Sequence, residues 1–491
     1  MTDAPALTLQ NVRPYDGGEP IDVVVRDGVI AKIAPAGTTD AEGETVDGAG
    51  RWIGPGLWDA HVHLTQHVIR RSRIDLTETR SADDVLDAVR RARAEGAPLS
   101  DGMLMGYGFR DGLWSVPASL DALDAVVSDI PVVLVSGDLH CGWMNRAAAS
   151  RFGLALDETG LLREGSWIDL LHSFDQAGDL PLSAYRAAAD AAAARGVVGV
   201  VDYENADNVT DWRDRSAQGV DALRVDIAVW ADRLEGVIAG GLRTGDIVDT
   251  AGLVRFGRLK VIVDGSLNTR TAWCWDPYPT MDPAHPHACG MESVPIAELR
   301  RLLERARGAG IEAAVHAIGD RANTEVLDTF EVLGMKGVIE HAQLVREEDF
   351  ARFARLGLIA SVQPEHAMDD RDVADHHWAG RTARAFAFGS LHRAGASLRL
   401  GSDAPVAPLD PWISLSAATS RSRGDRDAWH PEQRLPLDAA LAASVRSSVA
   451  VGQPADLVIV DRDPYASDRD DLRDMPVAAT LLGGRFTWRS L

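Results

Sequence analysis

Gly56-Leu-Trp-Asp-Ala-His-Val-His63 is a short apolar run that closes on two histidines, and seven further runs of the same texture follow it along the chain. They are Val197-Val-Gly-Val-Val-Asp-Tyr203, Arg224-Val-Asp-Ile-Ala-Val-Trp230, Leu259-Lys-Val-Ile-Val-Asp264, Ile311-Glu-Ala-Ala-Val-His316, Gly337-Val-Ile-Glu-His341, Leu358-Ile-Ala-Ser-Val-Gln363 and Ala396-Ser-Leu-Arg-Leu-Gly-Ser-Asp403. Most precede a long helical pattern. Pro295 to Ala309 and Ala184 to Arg195 repeat apolar positions at three and four residues, which predicts helices. Strand then helix, eight times over, is the pattern of an α/β fold, the (β/α)8 TIM barrel. The stretch from about 65 to 182 is too long for one crossover, so it is expected to be a large insertion after strand one.

Outside these runs the texture changes. Leu7 to about Val46 alternates β-rich stretches, such as Ile21-Asp-Val-Val-Val25 and Gly28-Val-Ile-Ala-Lys-Ile33, with turn residues, which predicts a small antiparallel sheet. Ala455-Asp-Leu-Val-Ile-Val-Asp461 and Ala478 to Trp488 read the same way. Chain termini often lie close in space. The two ends, 1–54 and 447–491, are therefore expected to form one composite β-sandwich domain flanking a barrel over 55–446.

Among 491 residues, 46% are hydrophobic, and 50 Lys and Arg stand against 73 Asp and Glu for a net charge of −23. The composition is that of a globular protein. Acids spread along the chain make nucleic acid and anionic membranes poor partners. The first residues lack the basic-then-apolar order of a secretory signal, and no apolar run approaches the ~18 to 20 residues that span a bilayer. A cytoplasmic location is expected, and Cys141, Cys274 and Cys289, far apart, suit a reducing compartment rather than a disulfide framework.

Polar residues at the C-terminal ends of barrel strands face the active-site mouth. His61 and His63 lie two apart on a strand, leave the same face and can share a metal. His316 closes the fifth run, His341 the sixth and Asp403 the eighth. Together they would converge on one point, a site for a borderline divalent metal such as zinc, with Asp403 placed to take a proton from the attacking water. Lys260 opens the fourth run. There it is either a solvent-facing lysine or, neutralised by CO2 as a carbamate, a source of two oxygens able to bridge two metals.

The run Pro55-Gly-Leu-Trp-Asp-Ala-His-Val-His63 resembles the first metal motif of the amidohydrolase superfamily. Lys260 to Ser266, Val315 to Asp320, Ile339 to Gln343, Ser361 to His366 and Gly401 to Pro405 are similar, in order, to later motifs of its amidohydrolase-3 branch, and the likeness covers nearly the whole chain. Within the insertion, Gly106-Tyr-Gly-Phe109, Gly137 to Asn145 and Gly160 to Glu164 match that branch as well. The resemblance implies a metal-dependent hydrolase with His61, His63, Lys260 as carbamate, His316 and His341 as ligands, and with Asp403 as ligand and general base. One or two metal ions fit the motifs. The reaction it implies is cleavage of a non-peptide C–N bond, in an amide, an N-acyl or N-formyl amine or a cyclic amide, by metal-activated hydroxide. Lactone or ester hydrolysis, deamination or decarboxylation on the same barrel, and a catalytically inactive scaffold, are the alternatives.

The substrate is expected to be a small molecule and the enzyme a homodimer. Tyr107, Trp114, His140 and Trp143 in the insertion, and Arg270 and Gln363 near the mouth, are candidate substrate-binding residues, with plain core packing the competing role for the aromatics. Asp59 is placed to support a ligand. His285-Pro-His-Ala-Cys289 alternates potential ligands in a Pro-rich loop, and Asp369-Asp-Arg-Asp372 with His376 and His377 reads as a solvated loop.

Overall fold

In a computed structural model of the chain, the described residues are 6–15, 17–71, 73–97, 99–109, 111, 114–136, 141–163, 167, 170 and 180–491. They fall into two compact units, one of Met1–Leu64 with Ala189–Leu491 and one of Thr65–Ala188.

The first unit is built on an eight-stranded parallel sheet. Its strands, numbered one to eight in chain order, are Leu57–Val62, Val197–Asp202, Arg224–Trp230, Val254–Ile262, Ala313–Ala317, Gly337–His341, Ile359–Val362 and Ser397–Leu400. Each of the eight apolar runs supplies one. Strands two and six are buried at every position, as expected where both faces of a parallel sheet are covered. The ring closes between strands eight and one, where Asp403 N donates to His61 O at 2.8 Å and His63 N to Ala404 O at 2.8 Å. The fold is thus a TIM barrel.

Helices wrap the outside for ordinary reasons. Ile296–Gly308 buries Leu299, Leu302, Leu303 and Ala306, the three- and four-residue spacing of one helical face. Glu347–Leu356 places Glu347, Glu348 and Asp349 in its first turn and Arg355 in its last, matching the helix dipole, and ends on Gly357 at φ 64°, which only glycine adopts without strain. After strand seven, Pro364–Asp369 and Arg371–His377 are helices, so the solvated loop expected there is corrected. Proline at the first position and acids in the first turns suit helix starts.

Both chain ends build the sandwich. Leu7–Pro14 runs beside Ile21–Arg26 antiparallel and Glu44–Asp47 parallel, then shifts register near Asn11, at φ 52°, and pairs parallel with Trp52–Pro55. Trp52–Pro55 pairs antiparallel with Leu457–Val460, which continues to Val477–Leu482 and Arg485–Arg489. The expectation of a purely antiparallel sheet is corrected at the two parallel pairings of the first strand. One apolar core, including Leu9, Val23, Ile53, Leu457, Ile459 and Leu481, joins the two ends.

The insertion after strand one folds as the second unit. Its sheet runs in the order Leu161–Arg163, Cys141–Met144, Val132–Ser136, Leu104–Phe109, Ile74–Asp75. The helix Ala82–Ala94, capped by the Ser81 side chain accepting from Asp84 N at 3.1 Å, packs Val85, Leu86 and Val89 onto a core that includes Phe109, Leu134 and Trp143. Among the described residues no helix is long and apolar enough to cross a membrane. The three cysteines are free thiols.

Candidate metal centre

The C-terminal ends of the barrel strands gather the histidines. His61 is the fifth residue of strand one, His63 follows that strand, His341 ends strand six, and Asp403 lies just past strand eight. Asp403 Oδ1 stands 3.5 Å from His61 Nε2 and 3.5 Å from His63 Nε2, while its Oδ2 is 3.9 Å from His366 Nε2. Donor atoms of His61, His63 and Asp403 lie within 4.8 Å of one another, and so do those of His341, His366 and Asp403. Asp403 therefore belongs to both sets.

Local backbone makes this convergence possible. Asp59 Oδ1 accepts from His61 N at 3.1 Å and from Ser402 N at 2.9 Å, tying the turn after strand eight to strand one. At Gly401 a Cβ would sit 2.7 Å from His61 N, so only glycine allows the two strands to approach so closely. Asp403 at φ 58° and His341 at φ 71° occupy the left-handed region, which costs energy for non-glycine residues and clusters at functional sites.

Burial sets the electrostatics. It holds His63 and His366 down to about 4 and His316 to about 3, with Lys260 adding to the effect at His63 and His316, and it keeps His61 and His341 well below their ordinary value. All five rings are thus neutral at pH 7, the form that ligates a metal. Burial also pushes Asp403 up to about 7, opposed by Lys260. His61 Nδ1 lies 2.7 Å from Glu340 Oε2, and Tyr203 donates its hydroxyl to Glu340 Oε1 at 2.7 Å. With Nδ1 donating to the carboxylate, the Nε2 lone pair of His61 is free on the Asp403 side, an arrangement typical of ligand histidines. Imidazole and carboxylate donors of this kind fit a borderline divalent ion.

Lys260 is the seventh residue of the nine-residue strand four, not its first, and it is only 2% exposed. The solvent-facing position is corrected. Its Nζ stands 4.5 Å from the centre of the Tyr203 ring, and among the described residues no carboxylate lies within ion-pair distance. Burial lowers its pKa, while Glu340 and Asp403 act the other way. His316 stands beside His341, with ring centres 4.4 Å apart, but its Nε2 lies 3.3 Å from Gly265 O and 3.6 Å from Asp264 Oδ1, and it joins neither donor set.

The remaining candidates scatter. Gln363 is buried at the end of strand seven and Arg270 is exposed on the loop after strand four. Tyr107, Trp114 and Trp143 belong to the second unit, and His140 lies outside the described residues. Trp143 is 0% exposed, with ring centres 6.5 Å from Phe109 and 5.9 Å from Trp114. It is a core residue, and its reading as a ligand contact is corrected. His285 and His287 have ring centres 5.8 Å apart but join no metal-type cluster among the described residues.

A family model of the amidohydrolase-3 type, described as "Amidohydrolase family", matches residues 44–488. The chain belongs to the amidohydrolase family. Putative amidohydrolase YtcJ of Bacillus subtilis is 28% identical over 95% of this chain and 95% of its own. N-substituted formamide deformylase of Arthrobacter pascens is 24% identical over 91% of this chain and 90% of its own. A crystal structure of an uncharacterised metal-dependent hydrolase from Pyrococcus furiosus superposes with a TM-score of 0.75 at 23% identity, covering 94% of this chain and 99% of that one, and shares the fold.

For this amidohydrolase-family chain, sequence reasoning passed over three residues of the centre. His366 lies inside the helix Pro364–Asp369 rather than at a strand end, so a strand-end pattern does not mark it. Glu340 and Tyr203 carried the signal of polar residues at the ends of otherwise apolar strands, but nothing in their spacing shows that they meet His61.

Proposed function

We propose that the protein is a metal-dependent hydrolase that cleaves a non-peptide C–N bond in a small molecule: an amide, an N-acyl or N-formyl amine, or a cyclic amide. The observation that carries this reading is Asp403, which offers one oxygen to His61 and His63 and the other to His366. His61 and His63 would hold one divalent ion and His341 and His366 a second, with Asp403 between them, His316 alongside and zinc the ion favoured by donor type. When bound, such an ion supplies Lewis acidity that lowers the pKa of water and polarises a carbonyl oxygen. Asp403 takes the proton of the attacking water and returns it to the departing nitrogen. Its place beside both histidine pairs suits it to both tasks. Glu340 and Asp59 do not touch the reacting atoms; they fix the ring of His61 and the backbone of His61 and Ser402.

Lys260 completes the site as a carbamate. Burial disfavours its ammonium, and the neutral amine is the form that combines with CO2. Family membership and the named reaction of the Arthrobacter relative support the C–N bond as the target and put N-formyl amines first among substrates. The reading is completed by a cytoplasmic location and a homodimer, which light scattering checks.

The test is metal content of protein purified without chelators, in wild type and in His61→Ala and Lys260→Ala, beside release of formate and amine from N-formyl amines. About one to two ions per chain, reduced in both variants, is the expected outcome. Loss in His61→Ala alone removes Lys260 from the site. A wild type without metal overturns the hydrolase.

A further inference from the structure

The barrel interior contains a second polar space, a cavity of about 230 Å³ at the end away from the histidines. Its wall includes Asp226 in strand three, Val338 in strand six and Ile359 in strand seven, early in their strands, Arg399 in strand eight, and, on the side of the histidines, Glu340 and Tyr203. Interiors of TIM barrels are normally filled by layers of bulky side chains. Here Ala60 lines the space and Ala228 and Ala314 stand in the neighbouring layer, so the lower barrel is left open. At ~30 Å³ per water, the cavity has room for several waters or for a small ion with its shell.

Three guanidiniums, of Arg258, Arg399 and Arg446, line this cavity in a chain whose net charge is −23. Arg258 pairs with Glu312 at 2.9 Å. Arg446 pairs with Asp226 and lies over the Trp58 ring at 3.6 Å. Arg399 has no carboxylate partner among the described residues: it donates to Leu398 O at 3.1 Å and Ala442 O at 3.4 Å, carbonyls that leave most of its five donors unused. Glu340, at the inner end, is already committed to His61 and Tyr203. A guanidinium does not shed its proton, and with Arg446 and Arg258 already paired, Arg399 is the cation of this recess left to take an anion.

We infer that this cavity is a binding site for a small oxyanion, held by Arg399 in the two-pronged manner of guanidinium and oxyanion, with Arg258 and Arg446 flanking it. The site lies outside both histidine donor sets, with Glu340 and Tyr203 between it and His61. Phosphate and carboxylate share the chemistry, and the experiment distinguishes them.

Isothermal titration at constant ionic strength of inorganic phosphate, and separately of acetate, into the protein as purified provides the test. The expected result is saturable binding of one ion per chain in wild type, weakened at least about tenfold in Arg399→Leu, partly restored in Arg399→Lys and unchanged in His366→Ala. Tighter phosphate identifies a tetrahedral ligand and tighter acetate a planar one. Should Arg399→Leu fail to fold, as judged by circular dichroism, Arg446→Gln is read in its place. Absence of saturable binding in wild type overturns the inference. So does binding that disappears in His366→Ala and survives in Arg399→Leu, since the anion would then sit at the metal centre.

Discussion

At one end of the barrel interior four imidazoles share the carboxylate of Asp403, with His316 beside them, and at the other three arginines line a cavity. Burial acts on both ends, yet the consequence differs with the chemistry of the base. Imidazoles respond by losing their proton, which turns a cluster of bases into a set of free lone pairs. Guanidiniums keep theirs, so their charge persists and has to be met by Asp226, Glu312, the face of Trp58 or something from solution. The same fold thus offers electron pairs at its mouth and positive charge at its floor. Tyr203 and Glu340 lie between, lining the floor cavity while bonding to one another and, through Glu340, to His61.

Variants at graded distance from the mouth break or sharpen this contrast. Asp403→Asn is expected to cost about 10² to 10⁴ in kcat on whichever N-acyl amine proves to be a substrate, because the proton acceptor is gone. A loss below tenfold would detach Asp403 from the chemistry. Glu340→Gln keeps the shape but weakens the acceptor of His61 Nδ1, and metal affinity measured by competition with a chromophoric chelator is expected to fall about 10- to 100-fold. Tyr203→Phe removes one hydrogen bond to Glu340, so urea unfolding should show a loss of about 0.5 to 1.5 kcal/mol. The smallest expected change is none at all. In metal-free protein, NMR signals of the five mouth imidazoles should stay flat from about pH 7.5 to about pH 5.5, a window in which an ordinary histidine becomes mostly cationic. The sign follows from pKa values lying below the ordinary 6.5, so protonation begins only at lower pH. A midpoint near 6.5 at any of them would place that ring in water.

The barrel was legible because a parallel strand covered on both faces must be apolar throughout, and eight such runs stand out from their helices. His61, His63, His341 and Asp403 were legible for a related reason: an apolar strand that stops at a histidine or a carboxylate has placed it at the mouth. Strand four was misjudged because Arg255, Gly257 and Arg258 interrupt its first half, so its apolar part seemed to begin at Leu259 and Lys260 seemed to open it. Arg258 is there to line the floor, which no local pattern announces. His366 was obscured by lying in a helix rather than at a strand end, and the Glu340 contacts with His61 and Tyr203 join residues 279 and 137 positions apart. Trp143 looked like a ligand contact because a buried tryptophan and a pocket tryptophan are written the same way.

The hydrogen bond from Ser402 N to Asp59 bridges 343 residues, and with the neighbouring bonds it joins the first barrel strand to the last. On the ribosome, His61 and His63 emerge long before Asp403 exists. A chain that stops before Asp403 therefore lacks the carboxylate common to both donor sets. Both donor sets are complete only once the residues after strand eight have joined strand one, so closure of the ring and assembly of the centre are one event.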